Sequence, residues 1–173
     1  MSTLNVDQIG HSTSGTTGLE IDSSGRVLLP AIPFMKMEVG NSDVSVTNSP
    51  SGTTTPFASV LSSRGITLNT STYMFQVPVT GLYHFSGAVR VNNIVDYLWW
   101  TLATSDDTRL QSNGLVLGNY RSPVSQFSTA CGSTLHPLTA STDYQIVFGS
   151  NITGTVTVNG LQTWMDIFLV GGN

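Results

Sequence analysis

From Phe34 onward the chain alternates short apolar-polar runs with turn residues. Phe34-Met35-Lys36-Met37-Glu38-Val39 places every second side chain on one phase, the pattern of a strand with one buried face. Asn41 to Thr55 reads as a loop rich in Ser, Thr, Pro and Gly. Ile66-Thr67-Leu68 and Tyr73-Met74-Phe75-Gln76-Val77-Pro78 read as two short strands. Thr80-Gly81 then turns into Leu82-Tyr83-His84-Phe85-Ser86-Gly87-Ala88-Val89-Arg90-Val91, a long strand with two distinct faces. Tyr97 to Ala103 predicts another, followed by the acidic turn Thr104-Ser105-Asp106-Asp107, and Leu110 to Leu117 a short pair interrupted at Asn113-Gly114. Later strands are expected at Gln126 to Cys131, Ser133 to Leu138, Tyr144 to Phe148 with a stop at Gly149, Thr153 to Val158, and Thr163 to Val170. No window carries a helical period. The pattern predicts an all-β sandwich.

The first thirty residues differ. His11 to Gly18 is too polar to pack alone. Leu19-Glu20-Ile21-Asp22 and Val27-Leu28-Leu29-Pro30, separated by Ser23-Ser24-Gly25-Arg26, read as a small hairpin or a strand pair. So small a piece needs a surface to lie on, whether its own domain, copies of itself or a partner. The expected division is an extended N-terminal arm, residues 1–30, and a head domain, residues 31–173, joined by the stiff step Pro30-Ala31-Ile32-Pro33. Leu4, Val6, Ile9, Leu19, Ile21, Val27, Leu28 and Leu29 are the apolar residues by which the arm would anchor.

Composition changes the picture in one respect. Charged residues make up 9% of 173 residues, against about 25% in an average soluble domain. Lys36 is the only lysine, and about a quarter of the chain is Ser or Thr. A surface solvated by hydroxyls offers little charge repulsion between copies, which suits a subunit of an assembly. The net charge of −4 and five scattered arginines (26, 64, 90, 109 and 121) argue against a nucleic-acid partner. Cys131 is the only cysteine, so neither an intrachain disulfide nor a cysteine-based zinc site is expected. The polar start Met1-Ser2-Thr3-Leu4-Asn5-Val6-Asp7 lacks the features of a signal peptide, and no stretch has the length of a membrane span.

One segment is more specific. In Tyr73 to Ser86, residues Phe75, Val77, Pro78, Gly81, Leu82, Tyr83, Phe85 and Ser86 fall in register with the signature of the complement globular-head family, a branch of the tumour-necrosis-factor superfamily, which the segment resembles. Pro78 and Gly81 build a turn; Leu82 then rises with Tyr83 and Phe85 on the opposite phase. Leu135-His136-Pro137-Leu138 ahead of Asp143-Tyr144, and the closing run Thr163 to Val170 with Trp164 and Phe168, are fainter echoes over a resemblance spanning about Ile32 to Asn173. The resemblance implies a jelly-roll sandwich that associates as a homotrimer through aromatic and aliphatic faces. Adjacent Trp99 and Trp100 must point to opposite sides of a strand, so one of them is expected outside its own core. The N-terminal block is similar to leaders of virion structural proteins of tailed bacteriophages. That implies a role at the virion surface, as a homotrimeric capsid decoration (cement) or short-fibre protein assembled in the bacterial cytoplasm and fixed to major capsid or tail proteins. The alternative is a tail-fibre head that binds a carbohydrate or receptor.

Candidate chemistry is sparse. His11, His84 and His136 lack the spaced carboxylates of a metal site, and no Gly-X-Ser-X-Gly elbow or placeable acid pair is present. Asp106-Asp107 could bind calcium, but that ion needs six or more oxygens, and a solvated turn is the commoner reading of such a pair. Asn69-Thr70-Ser71 and Asn151-Ile152-Thr153 match the glycosylation sequon, a coincidence expected in a Thr-rich chain. Trp99, Trp100, Tyr120 and Trp164 are the aromatics able to stack on a host surface glycan, with Asn119-Tyr120-Arg121 as a candidate loop, although core or interface burial is their commoner fate. The expectation is a non-enzymatic protein with no cofactor, no metal and no membrane contact.

Overall fold

The computed structural model describes residues 8–10, 17–21, 27–28, 32–49, 51–93, 95–105 and 127–172. The chain divides into two compact units, Met1–Ile32 and Pro33–Asn173. In the first, strands β1 (Gln8–Gly10), β2 (Thr17–Ile21) and β3 (Val27–Leu28) form an antiparallel sheet in that order. Glu20 pairs with Leu28 and Ile21 with Val27, the hairpin expected from the two apolar runs, and β1 adds to its other side. Of the expected anchoring residues, Ile9, Leu19, Ile21, Val27 and Leu28 lie on these strands; Leu4, Val6 and Leu29 lie outside the described residues.

The second unit is all-β, and no helix occurs among the described residues. Its strands are β4 (Phe34–Glu38), β5 (Val44–Asn48), β6 (Thr53–Thr54), β7 (Ser59–Arg64), β8 (Thr67–Asn69), β9 (Met74–Gln76), β10 (Gly81–Val91), β11 (Leu98–Thr104), β12 (Ser128–Leu138), β13 (Tyr144–Ser150), β14 (Gly154–Val158) and β15 (Trp164–Gly172). One sheet runs β5-β14-β10-β15-β4-β7, with β12 on the other side of β10; the second runs β11-β13-β9-β8, with β6 on β13. All pairings are antiparallel. The sheets face each other as a jelly-roll sandwich.

The core lies between them. Met35, Met37, Tyr83, Phe85, Val89, Val91, Met165 and Ile167 come from the first sheet, and Phe75, Leu98, Trp100, Leu102, Ile146 and Phe148 from the second, all essentially shielded from solvent. Each such side chain removed from water contributes about 1.5–3 kcal/mol. The Phe75 ring packs on Phe85 at 6.1 Å and Tyr144 at 5.9 Å, which joins the sheets at the signature segment.

Several boundaries depart from the sequence reading. Asn41 to Thr55 was expected as loop, yet it holds β5 and β6: Thr, Ser and Val satisfy a strand when β14 and β13 supply the ladder. β7 was not anticipated because its Ser59-Val60-Leu61-Ser62-Ser63-Arg64 is exposed along nearly its whole length. Gln126–Cys131 and Ser133–Leu138 merge into β12, for Gly132 is held by Gly87 opposite and Pro137 sits where an edge strand tolerates a missing N–H. Gly149 does not end β13. It lies directly opposite Trp99, and a Cβ there would stand 2.3 Å from the indole, so the glycine makes room for the ring. The pair Leu110 to Leu117 and the turn at Asp106-Asp107 lie outside the described residues.

Phe85→Ala should lower unfolding free energy by about 3–5 kcal/mol, read by denaturant titration, because the vacated volume is walled by both sheets. Gly160→Ala should also destabilise the fold, by about 1–3 kcal/mol, because the new Cβ meets the Ser42 carbonyl oxygen at 2.3 Å and that of Gly40 at 2.5 Å.

Candidate functional site

The face of the first sheet turned away from the core is where unpartnered surface accumulates. β10 alternates: Tyr83, Phe85, Val89 and Val91 enter the core, so Leu82, His84, Ser86, Ala88 and Arg90 point outward. The register across neighbouring strands then fixes rows. Phe34 on β4 lies opposite Phe168 on β15, Phe168 opposite His84, and His84 opposite Leu135 on β12. The His84 and Phe168 rings are 4.8 Å apart. Leu82 and Pro137 extend the apolar row at one end, and Val170 joins them at a β-bulge beside Leu82. Exposure is 36% for Leu82, 50% for Leu135, 41% for Phe168 and 54% for Val170, so the strip faces solvent in the isolated chain.

The adjoining row is polar: Lys36 opposite Asp166, Asp166 opposite Ser86, Ser86 opposite Ser133. Beyond it stand Glu38, Trp164, Ala88 and Cys131, the last exposed. Lys36 lays its ammonium 5.7 Å from the Trp164 ring centroid. His84 Nδ1 and Asp166 Oδ1 are both shielded from solvent and have no hydrogen-bond partner among the described residues. A buried polar atom left so costs about 1–3 kcal/mol, a deficit that a covering molecule is able to relieve.

The signature residues sort by phase. Phe75, Val77, Tyr83, Phe85 and Trp100 are core; Leu82, Trp164 and Phe168 belong to the outward face; Pro78 and Gly81 flank the turn into β10. The Tyr83 hydroxyl donates to the Val79 carbonyl at 2.8 Å, which explains why this turn wants a tyrosine two residues after its glycine. Burial pushes the Tyr83 phenol above its ordinary pKa, a rise that the bond to Val79 offsets in part. Of the tryptophan pair, Trp100 is buried and Trp99 lies on the other side of its strand against Gly149. Tyr120 and the loop Asn119–Arg121 lie outside the described residues. Among the described residues no cluster of three or more His, Cys, Asp or Glu side chains is placed to hold a metal. Phe34, His84, Leu135, Val170 and Asp166 were not picked out from sequence as members of this face. The signal was there: alternate positions on four strands, legible only once the register was known.

No family model matches the sequence, and no curated protein matches it. Solved structures do. Eiger, a tumour necrosis factor from S. frugiperda, superposes with a TM-score of 0.59 at 13% identity, over 82% of this chain and 94% of that one. Murine APRIL superposes with a TM-score of 0.54 at 10% identity, over 81% of this chain and 100% of its own. The second unit is a tumour-necrosis-factor-like jelly roll. At such identities the likeness concerns the fold alone. It agrees with what the segment Phe75–Ser86 implied, and this jelly roll sets β10 at the centre of the sheet that carries the apolar strip.

His136 stands on the other phase of β12, opposite Tyr83, and burial lowers its pKa below the ordinary 6.5. Its contribution to stability is therefore present above pH 6.5 and lost as the pH falls through the lower folded-state value. Thermal melts should show a fall on acidification below about pH 6.5, and His136→Asn should flatten that part of the profile.

Proposed function

We propose that this protein is a structural component of a tailed-bacteriophage virion surface, a homotrimeric capsid-decoration or short-fibre protein fastened through its N-terminal arm. The observation that carries the self-association is the strip Leu82, Leu135, Phe168 and Val170 with the Phe34–Phe168–His84–Leu135 row across four strands. The outward face of β4, β10, β12 and β15, strands of 5, 11, 11 and 9 residues about 4.8 Å apart, covers about 600 Å² with its polar row included. A standard specific interface takes ~800 Å² from each partner, so the face supplies most of one. A second copy fits the strip better than a charged ligand does, because on its four strands His84 is the one ionisable member of the row, Arg64 of β7 stands only at its end opposite Phe34, and the chain is charge-poor. Closed cyclic symmetry then limits growth, and the trimeric state follows the family that the Phe75–Ser86 segment resembles. The virion setting, and capsid or tail proteins as partners, follow from the likeness of the N-terminal block to phage leaders. On this reading the role is assembly rather than catalysis, with no nucleic acid or membrane partner.

Light scattering on the purified chain should give the mass of a trimer, and Leu135→Asp with Phe168→Asp should reduce it to one protomer while the circular dichroism of the sandwich is kept. A wild-type protein that runs as a monomer at micromolar concentration would exclude the self-association. Removal of residues 1–30 should leave a folded trimer that no longer binds particles stripped of the protein; undiminished particle binding would exclude anchoring by the arm.

A further inference from the structure

The second sheet carries a separate feature. The outward face of the β8–β9 hairpin, with the turn ahead of β13, forms an open hollow of about 320 Å³ lined by Thr67, Leu68, Asn69, Met74, Gln76 and Asp143. This is the low end of the range of small-ligand sites, about 300–1,000 Å³. The register sets Thr67 opposite Gln76 and Asn69 opposite Met74, while Phe75 turns to the core.

What distinguishes the hollow is how its polar groups are held. Asn69 Oδ1 accepts from the backbone N–H of Ser71 at 2.9 Å and of Thr72 at 3.2 Å, which fixes the amide plane and leaves its NH2 as a free donor. The Asn69 carbonyl accepts from Tyr73 N–H at 2.7 Å, and Tyr73 sits in the left-handed region at φ 61°, so the turn is locked at both ends. Gln76 Nε2 donates to Asp143 Oδ1 at 2.8 Å. That bond orients both side chains and leaves Asp143 Oδ2 and Gln76 Oε1 as acceptors. The Thr67 hydroxyl adds a group able to donate or accept. Met74 supplies an apolar floor. No Lys, Arg or His lines the hollow, so an anionic ligand would meet only the charge of Asp143.

We propose that this hollow is a binding site for a neutral saccharide. Vicinal sugar hydroxyls both donate and accept, and they suit a fixed set of one amide donor, two acceptors and a hydroxyl; the C–H face of a pyranose suits Met74. The site stands on β8 and β9 of the second sheet, whereas the self-association strip belongs to β4, β10, β12 and β15 of the first. It does not depend on the trimer.

The test is saturation-transfer NMR of the full chain with the methyl glycosides of glucose, galactose, mannose and N-acetylglucosamine, together with an array of neutral and acidic glycans. At least one neutral glycan should bind. Asp143→Ala and Gln76→Ala should each weaken that binding about tenfold or more while oligomeric mass stays unchanged and the two variants, which lose the same Gln76–Asp143 bond, show the same small fall in melting temperature. Thr67→Ala, which alters no hydrogen bond within the protein, should weaken it less. The proposal is overturned if no neutral glycan binds, if acidic glycans bind in preference, or if binding survives both the Asp143 and the Gln76 substitutions. The variant Leu135→Asp with Phe168→Asp should keep saccharide binding whatever its mass, which separates failure of this site from failure of self-association.

Discussion

The pairing of β10 with β12 on one flank and β15 on the other is the constraint from which the rest of the head follows. Strand side chains alternate with a period of two, so a fixed register commits each residue of three strands to one face at once. Tyr83, Phe85, Val89, Met165 and Ile167 go inward together, and Leu82, His84, Phe168 and Leu135 are necessarily left together on the outside. A slip of one residue would bury the histidine and expose the tyrosine. The core thus specifies the surface strip as strictly as it specifies itself.

Two apolar faces on one sheet need two coverings. The second sheet supplies one, through Phe75, Trp100, Ile146 and Phe148. Nothing among the described residues of the second unit covers the other, where His84 Nδ1 and Asp166 Oδ1 are already shut away from water without a partner. Hydrophobic area favours association but does not select its geometry; two unsatisfied polar atoms amid that area favour one docking over its neighbours. These are the features that support the proposal of a second copy on the strip. The poverty of charge elsewhere removes the repulsion that would oppose crowding of copies.

The proposed ligand hollow and the proposed self-association strip stand on different sheets. The strip depends on apolar side chains brought into line by long, regular ladders. The hollow depends on a short hairpin whose turn amides of Ser71 and Thr72 hold Asn69 Oδ1, and on the bond by which Gln76 and Asp143 hold each other, each leaving the other end of the side chain open. Regularity serves the first and a local irregularity, the left-handed Tyr73, serves the second. In the sandwich the two are separated by the core, so that a substitution in one leaves the packing of the other intact.

Alternation along Phe34–Val39 and Leu82–Val91 pointed to the all-β class and to the positions of β4 and β10, because a period of two is a local property of consecutive residues. The run Phe75 to Ser86 pointed to the jelly roll, and its turn, closed by Tyr83 on Val79, is likewise a local device. The sequence was silent about β7 and read β5 and β6 as loop, since polar Ser-Thr stretches become strands only when a neighbouring strand offers hydrogen bonds. It also missed the alignment of Phe34, Phe168, His84 and Leu135, and the meeting of Gln76 with Asp143. These residues are far apart along the chain, and their neighbourhood is set by which strands pair and in what register. Local pattern decides what each segment becomes; only tertiary pairing, through the cooperative ladder between distant strands, decides which side chains end up sharing a surface.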